Sequence, residues 1–417
     1  MDDQVRSDTT VWDDHAAELL RRCAELAAIS AAPDRIMRFP YTEQHRRCND
    51  RVAEWMRAAG LTAREDAVGN VWGTLAGSGE GPGRRLIIGS HLDTVPNAGA
   101  YDGILGVLAG IAIAGELRRA GVELPFDLDV VGFADEEGAR FGVAMFASQA
   151  VADNWDPAWF EARDRDGTTL AEAAAAFGLD PARLADARLP EPERAIGFLE
   201  LHIEQGPVLE EADRPLGVVT AIAGARRFRI AVQGRAGHAG TVPMPMRRDA
   251  LAAAAEFALE VERVASAREI VGTVGSLECR PGAANVIAGD CALTLDVRAP
   301  DDEALAAAVA EIREAAEAIG VRRQVSFEFD EYYAMPAVTC APEFVAAFDA
   351  ACRGVVTGGP PHLPSGAGHD AMAMARKMSV GMLFMRCGRG GISHHPDECV
   401  EAGDVALALA ALYETVV

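Results

Sequence analysis

The strongest constraint on this chain is a short stretch between Arg85 and Asp135. It runs strand, helix, strand, and both strands are nearly continuous in apolar residues. A sheet with one face in water alternates apolar and polar residues. Near-continuous apolar strands joined through a helix belong to a sheet covered on both faces. The segments are Arg85–Gly89, the helix Ile104–Ala120 and the run DLDVVGFAD, which ends at Asp135; a further strand follows at Gly197–Ile203. From Leu216 to Phe329 the pattern changes. It reads strand Gly217–Gln233, helix Arg248–Ala265, strand Glu269–Cys279, strand Val286–Arg298, helix Asp302–Ile319 and strand Arg322–Phe329. That βαββαβ order is a ferredoxin-like split unit. Helices at Glu343–Arg353 and Ala371–Arg376, a strand at Gly381–Arg386 and a last helix at Glu401–Tyr413 resume the α/β character. We therefore expect an α/β fold. Residues 1–213 and 332–417 form one large α/β domain, and 214–331 form an inserted ferredoxin-like domain.

Composition narrows the function classes. The 417 residues hold 39 Lys+Arg against 63 Asp+Glu, a net charge of −24, which argues against nucleic acid and against anionic membrane surfaces. Half of the residues are hydrophobic, so the chain is not disordered. The longest apolar segment, Ile104–Leu117, is too short to span a bilayer. The acidic N-terminus lacks the features of a secretory signal, so a cytoplasmic location is expected. None of the eight cysteines forms a C-x-x-C pair, and no disulfide framework is expected in a chain of this length. The turn GSGEGPG from Gly77 is followed by a strand, so no helix N-terminus is available there for phosphate.

The chemistry-bearing residues cluster just after predicted strands, where ligands gather in α/β sheets. His91 lies in SHLDTVPNAGAYDG, which begins at Ser90, with Asp93 placed to accept its other ring N–H. Asp93 and Asp102 also suit plain turn or capping roles. FADEEGARF sets Asp135, Glu136 and Glu137 side by side, which is costly unless a cation or hydrogen bonds compensate. His202 lies in ELHIEQGPVLE, and His394 and His395 lie in GISHHPDE. Together these give a nitrogen and oxygen ligand set suited to Zn²⁺, Mn²⁺ or Co²⁺. In the small domain His238 occupies a glycine-rich turn. Arg227, Asn285 and Arg298 fall on or beside strands, and Arg298 could grip a carboxylate or pair with one of the many acids. No G-x-S-x-G elbow and no H-E-x-x-H helix is present.

GSHLDTV with YDG, DEEGARF, LHIEQGP, GRAGHAGTVPM, SGAGHDA and GISHHPDE occur in that order. The chain thereby resembles the M20-type metalloamidases, in the subgroup of N-carbamoyl-L-amino acid hydrolases, allantoate amidohydrolases and β-ureidopropionases. The resemblance runs from about Asp13 to the C-terminus. It implies a dimetal hydrolase of a linear ureido C–N bond, releasing ammonia and CO₂, with two divalent ions (Zn, Mn or Co) per subunit. His91, Asp102, Glu137, His202 and His394 would hold the ions, with Asp102 bridging. His394 is preferred to His395 because it directly follows the serine of I-S-H. Glu136 would be the general base, Asp93 would orient His91, and His238 would stabilise charge on the scissile carbonyl. Gln205, Arg227, Asn285 and Arg298 would bind the ureido group and the substrate carboxylate, with His369 and Asp370 in support. The inserted domain would act as lid and homodimer interface. The alternatives are β-ureidopropionase, a dipeptidase or aminoacylase of the same superfamily, or a non-catalytic binding protein.

Overall fold

The computed structural model describes residues 2–79 and 83–417; part of the glycine turn beginning at Gly77 lies outside them. The chain divides into two compact units. The first comprises 1–220, 340–363 and 369–417, and the second 221–339 and 364–368. The strands, in chain order, are β1 (Thr62–Glu65), β2 (Val71–Leu75), β3 (Arg85–His91), β4 (Asp127–Phe133), β5 (Ala195–Ile203) and β6 (Leu216–Ile222). There follow β7 (Gly224–Gln233), β8 (Gly237–His238), β9 (Val271–Arg280), β10 (Val286–Ile287), β11 (Asp290–Ala299), β12 (Ser326–Met335), β13 (Val338–Thr339), β14 (His362–Ser365) and β15 (Val380–Met385).

The first unit is built on a mixed sheet in the order β1-β2-β4-β3-β5-β15-β6, with β14 also against β6. Four central strands run parallel: β3 pairs with β4 and β5, and β5 pairs with β15. Their side chains are buried almost throughout, as expected for a doubly covered sheet. The helix Ile104–Ala120 is buried along most of its length and packs on β3, β4 and β5. The helices Asp2–Ala27, Pro342–Val355 and Ala402–Val416 share the same core cluster through Leu19, Phe348 and Leu409.

The second unit carries an antiparallel sheet in the order β12-β7-β11-β9 and a two-stranded β10-β8 pair. Phe228, Ile230 and Val232 of β7 and Leu293, Leu295 and Val297 of β11 point into a core with Phe257 and Ile312 of the two long helices. The residues between them in sequence, including Arg227, Arg229, Asp296 and Arg298, fall on the other face of these strands.

Several sequence expectations shift. The expected strand Gly217–Gln233 breaks at Ala223 into β6 and β7, and a Cβ on Gly224 would sit 2.6 Å from the Ala337 backbone nitrogen. Arg322 and Arg323, expected in a strand, form the last turn of the helix Asp302–Arg323, where cations suit the carbonyl end. The segment Val286–Arg298 is two strands separated at Ala288 and Gly289. Cys279 and Cys291 form one disulfide, because the β9–β11 register sets them directly opposite each other with Cα atoms 4.2 Å apart.

Candidate metal centre

The carboxyl ends of β4, β3, β5 and β15 lie side by side in the parallel part of the sheet, and each delivers polar residues to one edge. His91 is the last residue of β3, and Asp135–Glu137 follow β4 after Ala134. His202 is the penultimate residue of β5, and the segment after β15 leads to His394. Asp102 lies just before the helix Ile104–Ala120.

The structure brings four of these together around Asp102. Asp102 Oδ1 is 3.4 Å from His91 Nε2 and 3.2 Å from His202 Nε2, while Oδ2 is 3.2 Å from His394 Nε2. His394 Nε2 is also 3.7 Å from Glu137 Oε1. Among the described residues, four groups have ligand atoms close enough for a shared ion: His91–Asp102–His202, Asp102–Glu137–His394, His91–Glu136–Glu137 and Glu200–His202–His369. Two of them share Asp102, one through each carboxylate oxygen as its contacts are arranged. His395 is in none of them; its Nδ1 accepts from the Asp397 backbone.

The surrounding hydrogen bonds aim the rings. His91 Nδ1 is 3.1 Å from the Asp93 carbonyl, and His202 Nδ1 is 2.9 Å from the Ile203 carbonyl. Donation from both Nδ1 positions leaves each Nε2 lone pair facing Asp102. The Asp93 carboxylate accepts from the backbone N–H groups of Glu136 (2.9 Å) and Glu137 (3.2 Å), so it fixes the acidic turn as well. Gly103 has φ of +68°, and a Cβ there would lie 2.4 Å from His91 Nε2. Only glycine fits at that step.

The electrostatics ask for a cation. Burial, then the neighbouring Glu137, Asp370 and Asp93, hold Glu136 well above the usual carboxylate range, although His91 opposes them. Burial and Asp102 push Glu137 up to about 7. Asp102 is buried, yet its contacts with His202, His394 and His91 hold it well below the ordinary range. Hydrogen bonding to Asp102 raises His394 to about 9. His202 Nε2 is buried and makes no hydrogen bond of acceptable geometry despite the nearby Asp102. A buried lone pair among clustered carboxylates fits a divalent cation, and these donors, imidazole and carboxylate, suit Zn²⁺, Mn²⁺ or Co²⁺.

Other expected residues fall as follows. Gln205, at φ +57°, sets Nε2 2.9 Å from Asp102 Oδ2 and 3.4 Å from His394 Nε2. His369 meets His202 edge to face at 4.5 Å and groups with Glu200 and His202; burial and His202 hold its pKa well below normal. The rest belong to the second unit. His238 is exposed on β8, with its Nδ1 accepting from Gly240 N–H. Asn285 is exposed, and its backbone carbonyl accepts from Ala239 N–H. Arg227 and Arg298 both pair with Asp296, and Arg298 also donates to the Gly366 carbonyl. Arg227 lies over the Tyr333 ring at 4.6 Å.

Sequence reasoning missed several supports. Fully buried Glu200 accepts from Ser90 Oγ and Ala371 N–H, beneath His202. Buried Arg38 donates to the carbonyls of Leu92, Leu26 and Ile29, and so braces the loop that follows His91. Asp296 was readable as the acid two residues before Arg298 on the same strand face. Arg38 has no such signal, because its partners are backbone carbonyls.

Imidazoles and carboxylates converging at the carboxyl ends of the parallel strands, in an α/β chain interrupted by a βαββαβ unit, define a candidate centre for divalent metal. The chain belongs to the peptidase family M20/M25/M40, whose model matches residues 87–417. It is 40% identical to an N-carbamoyl-L-amino acid amidohydrolase of Geobacillus stearothermophilus, over 95% of this chain and 97% of that one. It is 37% identical to a probable allantoate deiminase of Oryza sativa subsp. japonica, over 95% of this chain and 87% of that one. A crystal structure of a hydantoinase/carbamoylase-family amidase from Burkholderia multivorans superposes with a TM-score of 0.89 at 32% identity, over 96% of this chain and 97% of that one. Among the described residues no helix is long and apolar enough to cross a membrane.

Proposed function

We propose that this chain hydrolyses the C–N bond of a linear ureido group on a small carboxylate-bearing substrate, an N-carbamoyl-L-amino acid or allantoate, releasing ammonia and CO₂. The observation that carries the reading is the pair of three-residue ligand groups sharing Asp102. The relatives' names, N-carbamoyl-L-amino acid amidohydrolase and allantoate deiminase, support the substrate class.

In this reading His91, Asp102, Glu137, His202 and His394 hold two divalent ions, Zn, Mn or Co. Such ions supply Lewis acidity and a source of hydroxide near neutral pH. Glu136 takes the proton of the attacking water and hands it to the leaving nitrogen. Its burial favours the protonated form, which makes its carboxylate a stronger base for the first transfer. Asp93 fixes both the His91 ring and the backbone of Glu136, so base and ligand keep their spacing. From the second unit, His238 offers an imidazole donor to the carbonyl oxygen as charge develops. Arg227, Asn285 and Arg298 take the substrate's carboxylate and ureido groups, with Gln205 and His369 in support. The second unit also serves as lid and homodimer contact, in a cytoplasmic enzyme.

The deciding experiment is ammonia release from a panel: allantoate, several N-carbamoyl-L-amino acids, N-carbamoyl-β-alanine and a dipeptide as the peptidase control. Release should occur with one of the first two classes, stop on chelation and return with Mn²⁺, Co²⁺ or Zn²⁺. Hydrolysis of the dipeptide alone would replace the ureido reading with a peptidase one.

A further inference from the structure

Asp102 faces ligands on both sides, so its backbone must be held with unusual accuracy. It sits in a loop, next to a glycine of positive φ, with no strand ladder to fix it. The backbone N–H groups of Tyr101 and Asp102 find one acceptor, far away in sequence. Glu398 Oε1 lies 2.8 Å from Tyr101 N and 3.2 Å from Asp102 N. The other carboxylate oxygen of Glu398 accepts from Ser393 Oγ at 2.9 Å, and Ser393 Oγ is 3.3 Å from Asp102 Oδ2. Ser393 immediately precedes His394, which adopts φ of +55°. Glu398 is 6% exposed and is in none of the groups whose atoms could share an ion. The Asp102 loop is shaped around it: a Cβ on Gly99 would lie 2.3 Å from Glu398 Cδ.

We infer that Glu398 is a positioning residue, a latch that fastens the Asp102 loop to the His394 loop and so sets the spacing of the ligands on either side of Asp102. One carboxylate does both tasks because its two oxygens point to different loops. Oε1 satisfies two consecutive backbone donors, that of Asp102 buried and that of Tyr101 partly buried. Oε2 orients the hydroxyl beside His394. The role rests on the reading of Asp102 and His394 as ligands. Groups that hold ligands in place in this way typically cost 10–100-fold in metal affinity when removed.

The test is calorimetric titration of Mn²⁺ into the chelator-stripped full chain, below the melting midpoint of each variant. E398A should weaken Mn²⁺ binding by roughly 10–100-fold. E398Q should stay within about threefold of wild type, because the amide oxygen still accepts both N–H groups and the amide nitrogen can donate to Ser393 Oγ. A folded E398A that binds Mn²⁺ like wild type overturns the latch. So does an E398Q as weak as E398A, which would assign the effect to charge. Should E398A fail to fold, S393A removes one arm only; a loss of about three- to tenfold supports the latch and unchanged affinity overturns it. A wild-type chain that binds neither Mn²⁺ nor Zn²⁺ overturns the metal reading itself, a result distinct from any of these.

Discussion

The two units treat their polar residues in opposite ways. In the first, His91, Asp93, Asp102 and His202 are almost wholly buried and are aimed by backbone partners: the Asp93 and Ile203 carbonyls, and the N–H groups of Glu136 and Glu137. In the second, His238 and Asn285 are exposed, and Arg227 and Arg298 stay partly exposed while sharing Asp296. Buried charge demands fixed geometry and a counter-ion, because water cannot relax around it. Partly exposed charge keeps its mobility and its hydration, and it can exchange one partner for another. The first arrangement suits resident ions. The second suits a substrate that comes and goes.

Four experiments would break or sharpen that contrast. The largest effect should come from stripping the ions: ammonia release should vanish, and the melting midpoint should fall, because the ion binds only the folded carboxylate cluster. Activity that outlasts thorough chelation would end the metal reading. Next is Glu136→Gln, which should lower turnover by roughly 10²–10⁴-fold while metal content, measured by atomic emission, stays at the wild-type level. Joint loss of both would make Glu136 a ligand and not a base. Arg298→Ala and Arg227→Ala should each raise KM about tenfold or more for carboxylate substrates, as expected for a lost charged hydrogen bond, with little change in metal affinity. An unchanged KM would leave the two arginines as structural partners of Asp296. Last, Gly103→Ala should leave ammonia release closest to wild type of the four while destabilising the metal-free chain by about 1–3 kcal/mol in urea unfolding, since alanine strains the positive φ and crowds His91. A neutral substitution there would show that the loop relaxes freely.

The parallel strands and the residues just beyond them were legible because they need only local information. An apolar run followed by His91, or by Asp135 to Glu137, reads as a strand ending at a site edge. The ferredoxin-like order was legible for the same reason. What stayed hidden depends on partners distant in sequence. Nothing near Arg38 reveals that it donates to carbonyls on either side of it in the chain, and nothing near Arg227 reveals Asp296. The Cys279–Cys291 pair follows from strand register, which composition does not carry. Ala223 reads as a residue inside a strand because it lies between two apolar runs; the break shows only in pairing, where its N–H turns to the Ser365 carbonyl, and so escapes periodicity.

The sheet order has a consequence for how the protein is made. β15 inserts between β5 and β6, so two strands wait for one that comes much later in the chain. While the chain is still on the ribosome, His91, Asp102 and His202 emerge long before His394 and Glu398 do. The half-made cluster therefore holds an excess of acid that lacks its last imidazole, and its sheet has a gap where β15 belongs. Closure of that gap couples the making of β15 to completion of the edge where the imidazoles and carboxylates meet.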